Sequence, residues 1–426
     1  MKISFYTLGC KVNQFETQAL ERMFTERGYE VVPCDTDADI YVINTCSVTA
    51  ISDKKSRQTI RKLSRAHKGA IIAVCGCMSQ VDPDACSAIE GVDIISGTGD
   101  KHAFIEAIER AGAARLVDDA MVRREFEVLP AGGIIGHTRA MLKIQDGCRN
   151  FCSYCIIPYA RGPVRSMPRD IVIAEARRLA ECGYREIVLT GIEISSYGVD
   201  FTPRETICDL IYDVCTEVPT VRIRLGSLEP RTIDEIFIEK TRGLKNLCPQ
   251  FHLSLQSGCD ATLSRMRRKY DTERYLKSVK LLRESFENCA ITTDLIVGFP
   301  GESENEFSQT LAFIKECAFS AMHIFPYSKR AGTPAAVMSG QITRALRDAR
   351  AHAARAIADE MQHAYLASCV GETLNVLFEE ECDGMWRGHA GNYAHVCVHS
   401  DSNLKNQVMP VRITDVRGDK LIGKYF

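Results

Sequence analysis

Cysteines are the residues in this chain whose type and spacing could do chemistry. Three of the 19 fall in QDGCRNFCSYCIIP, where Cys148, Cys152 and Cys155 are spaced C-x3-C-x2-C. Thiolates are soft ligands, and three on one short loop can each take one iron of a four-iron cubane. No fourth cysteine lies nearby, so one iron would stay open to a small-molecule ligand, and hence to chemistry. A zinc site would need a remote fourth ligand to close its tetrahedron. The run follows an apolar strand pattern at 141–145, and barrel enzymes build their sites at such carboxyl strand ends.

The positioning elements are legible as alternating runs. Short β-branched runs at 2–6, 40–43, 70–74 and 92–95 alternate with helical patterns such as 14–27 and 53–66. They predict a doubly wound parallel α/β domain over residues 1–113. The stretch 129–136, LPAGGIIG, reads as a linker. A longer alternation follows over 134–364, with strands at 141–145, 186–189, 221–225, 250–255, 291–297 and 322–325. Helical patterns at 169–182, 232–241, 272–286 and 304–317 separate them, which predicts six βα units in a full or partial barrel. A long helix at 343–367 leads into 367–426. There, runs at 373–378, 395–398, 409–413 and 421–426 predict a small all-β barrel.

Composition narrows the class. The chain has 45% hydrophobic and 25% charged residues and a net charge of -2, so any nucleic-acid contact must use local patches. Its start, MKISFYTLGCKVNQ, lacks the apolar run of a signal peptide, and no later stretch is long enough for a membrane span. A cytoplasmic enzyme is the expectation. Without export, cysteines outside ligand positions should behave as small buried hydrophobes.

Tyr154 stands before the last cysteine of the C-x3-C-x2-C run, and this pattern resembles the radical SAM (S-adenosylmethionine) superfamily. LGCKVNQFET, INTCSVT, CGCMSQ, CSYCIIPYARG, HLSLQSG, TTDLIVGFPGE and HIFPYSKRAGTPAA, spread over nearly the whole chain, resemble the methylthiotransferase family. The resemblance implies an amino-terminal domain with its own cluster, a radical SAM (βα)6 partial barrel and a terminal β-barrel called TRAM. It implies two 4Fe–4S clusters, SAM, an external electron donor and a sulfur source. The core cluster on Cys148, Cys152 and Cys155 would reduce SAM to a radical. A second cluster, on Cys10, Cys46 and Cys77, would handle the sulfur. In the family the third of these ligands is the cysteine of a Gly-Cys step before a small residue and Gln, here Gly76, Cys77, Met78, Ser79 and Gln80, which selects Cys77 over Cys75.

The residues support that set independently. Cys10, Cys46 and Cys77 each lie just past an apolar run, and the carboxyl ends of parallel strands share one edge, where ligand sites form. For the SAM pocket the candidates are Tyr154, Gly191, Glu229, Gln256 and Asp294, all on the cluster loop or at strand ends. Gly191 would let SAM approach the backbone. For the polar candidates the alternative is a turn or strand-end group satisfied locally.

GCKVNQFET and NTCSVTAISDKKSRQ resemble the subgroup that modifies N6-threonylcarbamoyladenosine at position 37 of tRNA. Relatives act on isopentenyladenosine in tRNA or on a ribosomal protein. A non-catalytic iron–sulfur RNA-binding protein is the competing class. Lys54, Arg57, Arg61, Arg65 and Lys68 recur at helical steps as one basic stripe, either an RNA contact or a solvated face. Arg265, Arg267, Arg268 and Lys269 form a second basic cluster. Residues 367–426 hold six Lys/Arg against eight Asp/Glu, unlike a phosphate-tracking groove. Lys405, Arg412, Arg417, Lys420 and Lys424 could still form a patch. Trp386 or Tyr393 could offer a stacking surface, with Trp386 as plain core the alternative.

Overall fold

The computed structural model describes residues 1–132 and 138–426, so the expected linker at 129–136 lies partly outside the described residues. The amino-terminal sheet has six parallel strands: β1 (Lys2–Thr7), β2 (Glu30–Val32), β3 (Ile40–Thr45), β4 (Ile71–Gly76), β5 (Ile94–Ser96) and β6 (Ala114–Leu116). Their order is β2-β1-β3-β4-β5-β6. The order reverses between β1 and β3, which opens a crevice at their carboxyl ends. β3 is buried at every position because both faces are covered. Ile40 and Val42 pack with Phe15, Leu20 and Phe24 of helix Lys11–Glu26, while Tyr41 and Ile43 pack with Ile60 and Leu63 of helix Ala50–Ala66. The doubly wound domain is thus as expected. β2 and β6 were not anticipated, since three residues at a sheet edge are too few to show a period.

The barrel region opens with β7 (Arg139–Lys143). A two-stranded antiparallel ribbon, β8 (Gln145–Asp146) with β9 (Arg165–Ser166), then brackets the cysteine loop. β10 (Glu186–Thr190), β11 (Arg222–Leu225), β12 (Ser227–Leu228), β13 (Gln250–Leu253), β14 (Ala290–Val297) and β15 (Ala321–Pro326) continue the arc. The pairs are parallel, in sheets β11-β10-β7 and β12-β13-β14-β15. β11 and β12 are one strand position interrupted at Gly226, whose N–H donates to the Leu189 carbonyl at 2.8 Å. Six positions therefore form the arc. Among the described residues no pairing joins β7 to β15, so the barrel is partial.

Helix Arg344–Ser368 packs against β15 and leads to a closed barrel of β16 (Thr373–Cys382), β17 (Met385–Ala390), β18 (His395–Val398), β19 (Val408–Arg417) and β20 (Lys420–Tyr425), in order β16-β17-β18-β20-β19. β17 was not anticipated from the sequence. Asp383 and Gly384 both have positive φ, 55° and 72°, as a two-residue hairpin of the primed type requires, and this Asp-Gly step was its signal. Trp386 packs in the barrel core, so it offers no stacking surface. Tyr393 stays 40% exposed, though it is engaged within the protein. Its ring is stacked on His389, and the guanidinium groups of Arg139 and Arg224 lie over it at 5.6 and 4.7 Å.

Those arginines dock the small barrel. Glu186, the first residue of β10, binds Arg222 at 2.5 Å and Arg224 at 2.8 and 3.0 Å. Arg224 also donates to the Gly391 carbonyl at 2.9 Å, and Arg222 to that of His389 at 3.2 Å. The small barrel thus sits at the amino ends of the core strands, away from their carboxyl ends.

Candidate active site

The carboxyl edge of the amino-terminal sheet faces the carboxyl ends of the partial barrel across one cavity of about 390 Å³. Cys10, Cys46 and Cys77 line it from one side, and Cys148, Cys152 and Cys155 from the other. Tyr154, Gly191, Glu229, Gln256 and Asp294 line it too. All eleven residues singled out by sequence therefore meet in one place. Its volume is in the range of small-molecule sites.

Local folding explains the placement of the first triad. Cys10 follows β1 and occupies the N-cap position of helix Lys11–Glu26. Cys46 follows β3, and Cys77 opens the short helix Cys77–Val81 after β4. Gly9 is held at φ +112°, and a Cβ there would stand 2.9 Å from the Cys46 Cβ and 3.1 Å from its sulfur. Cys75 points into the hydrophobic core, fully buried, and does not line the cavity.

All the cysteines described are free. Burial pushes the Cys77 and Cys155 thiols up to about 12 and Cys148 up to about 11. Left alone they stay protonated; a metal would displace those protons. Among the described residues no three His, Cys, Asp or Glu side chains are close enough to share one metal ion.

The surroundings carry unbalanced positive charge. Beneath the first triad, Glu16 and Asp146 are buried with Lys143, Arg161, Arg165 and Lys101. Lys143 Nζ lies 3.0 Å from Glu16 and 2.9 Å from Asp146, and Arg161 binds both carboxylates. Burial alone would raise the pKa of Glu16, but Arg161 and Lys143 hold it well below the usual carboxylate range. Asp146 is held down in the same way by Lys143, Arg161 and Arg165. Glu127, half-buried, accepts from the Lys101 backbone N–H. Arg161 Nε and Lys101 Nζ are buried with no hydrogen-bond partner. A cluster on three thiolates would bring the missing negative charge and acceptor sulfurs, so the residues present fit one.

On the core side, Arg268 donates to the Cys152 sulfur at 3.2 Å and to the Tyr270 hydroxyl at 2.9 Å. The expected basic cluster at 265–269 therefore splits. Arg268 turns into the site, Arg265 forms a two-pronged pair with Glu306 at 2.8 and 2.9 Å, and only Arg267 and Lys269 are exposed. Tyr154 packs edge-on to Phe299 at 6.5 Å. At Gly191 a Cβ would meet the Gln145 carbonyl at 2.8 Å, so the close approach there is to the protein's own backbone. Gln256 takes a left-handed conformation, φ +69°, with its N–H on the Asp294 carbonyl at 2.9 Å. Two of the candidates have local partners, Arg231 for Glu229 (3.0 Å) and His252 for Asp294 (3.4 Å). Glu193 was missed. One of its carboxylate oxygens is buried in the cavity wall without a protein partner, and burial raises its pKa. Its position two residues after Gly191, in the same TGIEISS turn, was the available signal.

Thr49, at the cavity wall, caps helix Ala50–Ala66. Lys54, Arg61 and Arg65 are exposed along it, Arg57 is half-buried, and Lys68 is exposed just past its end. Among the described residues none of these five pairs with a carboxylate. Val48 and Ile51 beside the mouth are 51% and 79% exposed. No described helix is long and apolar enough to cross a membrane.

Comparison with known proteins gives consistent results. Residues 2–97 match the profile of the uncharacterized protein family UPF0004, and 142–314 match that of the radical SAM superfamily. The chain is 40% identical to the threonylcarbamoyladenosine tRNA methylthiotransferase MtaB of Bacillus subtilis, over 96% of this chain and 93% of that protein. It is 35% identical to MtaB of Aquifex aeolicus, covering 89% and 93%. It is 32% identical to the tRNA-2-methylthio-N6-dimethylallyladenosine synthase of Bacillus pumilus, covering 99% and 85%. Among solved structures, the radical SAM methyltransferase TsrM of Kitasatospora setae superposes with a TM-score of 0.58 at 13% identity, over 91% of this chain and 80% of that one. At that identity the likeness speaks for the fold alone.

Proposed function

The chain belongs to the radical SAM methylthiotransferase family, and we propose that it adds a methylthio group to carbon 2 of N6-threonylcarbamoyladenosine at position 37 of tRNA. The observation that carries this reading is the convergence of two cysteine triads, from two different sheets, on one cavity. A scaffold or RNA-binding protein would have no use for two such triads around a shared opening. Residues 1–113, 134–364 and 367–426 are assigned as the amino-terminal, radical core and TRAM domains.

Cys148, Cys152 and Cys155 would hold the core 4Fe–4S cluster, and Cys10, Cys46 and Cys77 a second one. When bound, SAM and these clusters supply a radical that removes hydrogen from the substrate carbon, and the sulfur that replaces it. The chain's own residues orient and shield. Arg268 places positive charge on the Cys152 sulfur, and Tyr154 and Phe299 wall that loop with apolar surface. Glu193, with Glu229, Gln256 and Asp294, offers acceptors for the amino and ribose groups of SAM. The unpaired cations along helix Ala50–Ala66 begin at the cavity mouth and suit tRNA phosphates. The TRAM barrel, docked at the other ends of the core strands, could contact only a distant part of the RNA. An external electron donor and a sulfur source complete the turnover, and as an enzyme of tRNA it works in the cytoplasm.

The nucleoside is assigned from the relatives at 40% and 35% identity, which carry the threonylcarbamoyl name. Mass spectrometry of tRNA nucleosides after deletion and complementation tests it. The methylthio-threonylcarbamoyl nucleoside should vanish and return. Loss of methylthio-isopentenyladenosine instead would place the chain in the other tRNA subgroup.

A further inference from the structure

We propose that Arg161, carried by the radical core, is a positioning and redox-tuning residue for the cluster of the amino-terminal domain. This rests on the two-cluster reading above. Arg161 ends the short helix Ile157–Arg161, which begins two residues after Cys155, yet its guanidinium reaches the other triad. It is fully buried. One terminal nitrogen binds Glu16; the other donates to the Asn13 Oδ1 at 2.9 Å and to Glu16 at 3.1 Å.

Asn13 distributes that contact. Its Nδ2 donates to the Leu8 carbonyl at 2.8 Å and to the carbonyl of Thr45, the residue before Cys46, at 2.9 Å. Its Oδ1 lies 3.8 Å from the Cys10 sulfur. The positive charge of Arg161 also acts on Cys77. Through Asn13, Arg161 therefore reaches Cys10 and the backbone next to Cys46, and its charge acts on Cys77. Glu16 is shared with Lys143, so the charge of Arg161 is not spent on that pair. Its Nε–H is buried and without an acceptor.

Hydrogen bonds to cluster sulfurs and nearby positive charge favour the more negative, reduced state of a cluster, and so raise its potential. Because Arg161 grows from the cysteine loop of the core, it also ties the spacing of the two triads to one short segment.

The test uses full-length protein with Cys148, Cys152 and Cys155 replaced by alanine, which leaves the amino-terminal cluster alone. Its midpoint potential is measured by redox titration followed by electron paramagnetic resonance, for Arg161, Arg161→Lys and Arg161→Gln. The glutamine variant should shift the one-electron reduction equilibrium at least tenfold towards the oxidised cluster, about 59 mV. Lysine keeps the charge but not the planar fork, and should shift it less while altering the spectrum. An unchanged potential and spectrum in either variant overturns the proposal. If the glutamine variant fails to hold iron, the lysine variant decides alone. No iron in the background protein with Arg161 intact would overturn the two-cluster reading and this inference with it, an outcome distinct from an unchanged potential.

Discussion

Replacing Gly9 with alanine should remove one cluster and leave the other. The residue sits at φ +112°, where an L side chain costs on the order of 1–3 kcal/mol. The new methyl would stand 2.9 Å from the Cys46 Cβ, 3.0 Å from the Asn13 Nδ2 and 3.1 Å from the Cys46 sulfur. Carbon atoms rest at about 3.5–4.0 Å, so Cys46 or the loop must retreat by roughly 0.5–1 Å. Metal sites tolerate departures of only about 0.2 Å in ligand distance, so the ligand position is lost before the fold is. Gly28 gives the control. It has φ +85° in the same domain, but a Cβ there meets nothing within 4 Å, so Gly28→Ala adds backbone strain without displacing a cysteine. After anaerobic reconstitution the unmodified protein and Gly28→Ala should hold roughly eight irons, and Gly9→Ala roughly four. Gly9→Ala should still form 5′-deoxyadenosine from SAM but give no methylthio product. Full iron and full transfer in Gly9→Ala would refute the placement of Cys46 as a ligand. Equal iron loss in Gly28→Ala would show that strain alone is responsible.

Three further outcomes are expected. Cys75→Ala should cost some stability and keep both clusters, because that thiol lies in the core, whereas Cys77→Ala should lose about half the iron; iron analysis separates them. Changing Arg57, Arg61 and Arg65 to glutamate should weaken tRNA binding and lower the slope of log K against log salt by roughly 0.7–0.9 for each phosphate no longer neutralised, with SAM cleavage in the absence of tRNA unaffected. Burial opposes ionisation of Glu186, but Arg224 and Arg222 hold its pKa down to about 2. A depressed carboxylate stabilises the fold above its unfolded value and loses that effect as pH falls through the folded one, so about 3 kcal/mol should disappear between roughly pH 4.5 and 2. In the metal-free protein, Glu186→Gln should be less stable at pH 7 and show a flatter acid melting profile; a profile as steep as the parent's would count against the clamp.

The placement of the six cysteines was legible because it follows from rules local in sequence. A short apolar run predicts a strand, and parallel strands put their carboxyl ends on one edge, so Cys10, Cys46 and Cys77 could be brought together from the sequence alone. The same rule placed Gly191, Glu229, Gln256 and Asp294 around the core cavity. It could not say which strand-end groups already had partners. Glu229 and Asp294 do, whereas Glu193, unremarked in the sequence, has a free oxygen.

What stayed hidden lies at the seams between domains, where partners are far apart in the chain. Arg161 meets Glu16 across 145 positions and Arg224 meets Gly391 across 167, and no period or spacing announces either pair. Composition argues the other way, because arginine is among the residues almost never fully buried unless paired. The cluster at 265–269 shows the same limit on a shorter scale. Four basic residues within five positions read as one patch, but Arg265 ends helix Asp260–Arg265 and reaches Glu306, while the turn after it sends Arg268 to Cys152 and Arg267 and Lys269 to solvent. Charge in a sequence is therefore a weak guide to where charge acts. At this site the cations that matter most to the cysteines, Arg161 and Arg268, are those the fold has withdrawn from the surface. Arg268 donates to a sulfur there and Arg161 to the Asn13 beside another, where low local dielectric strengthens their effect.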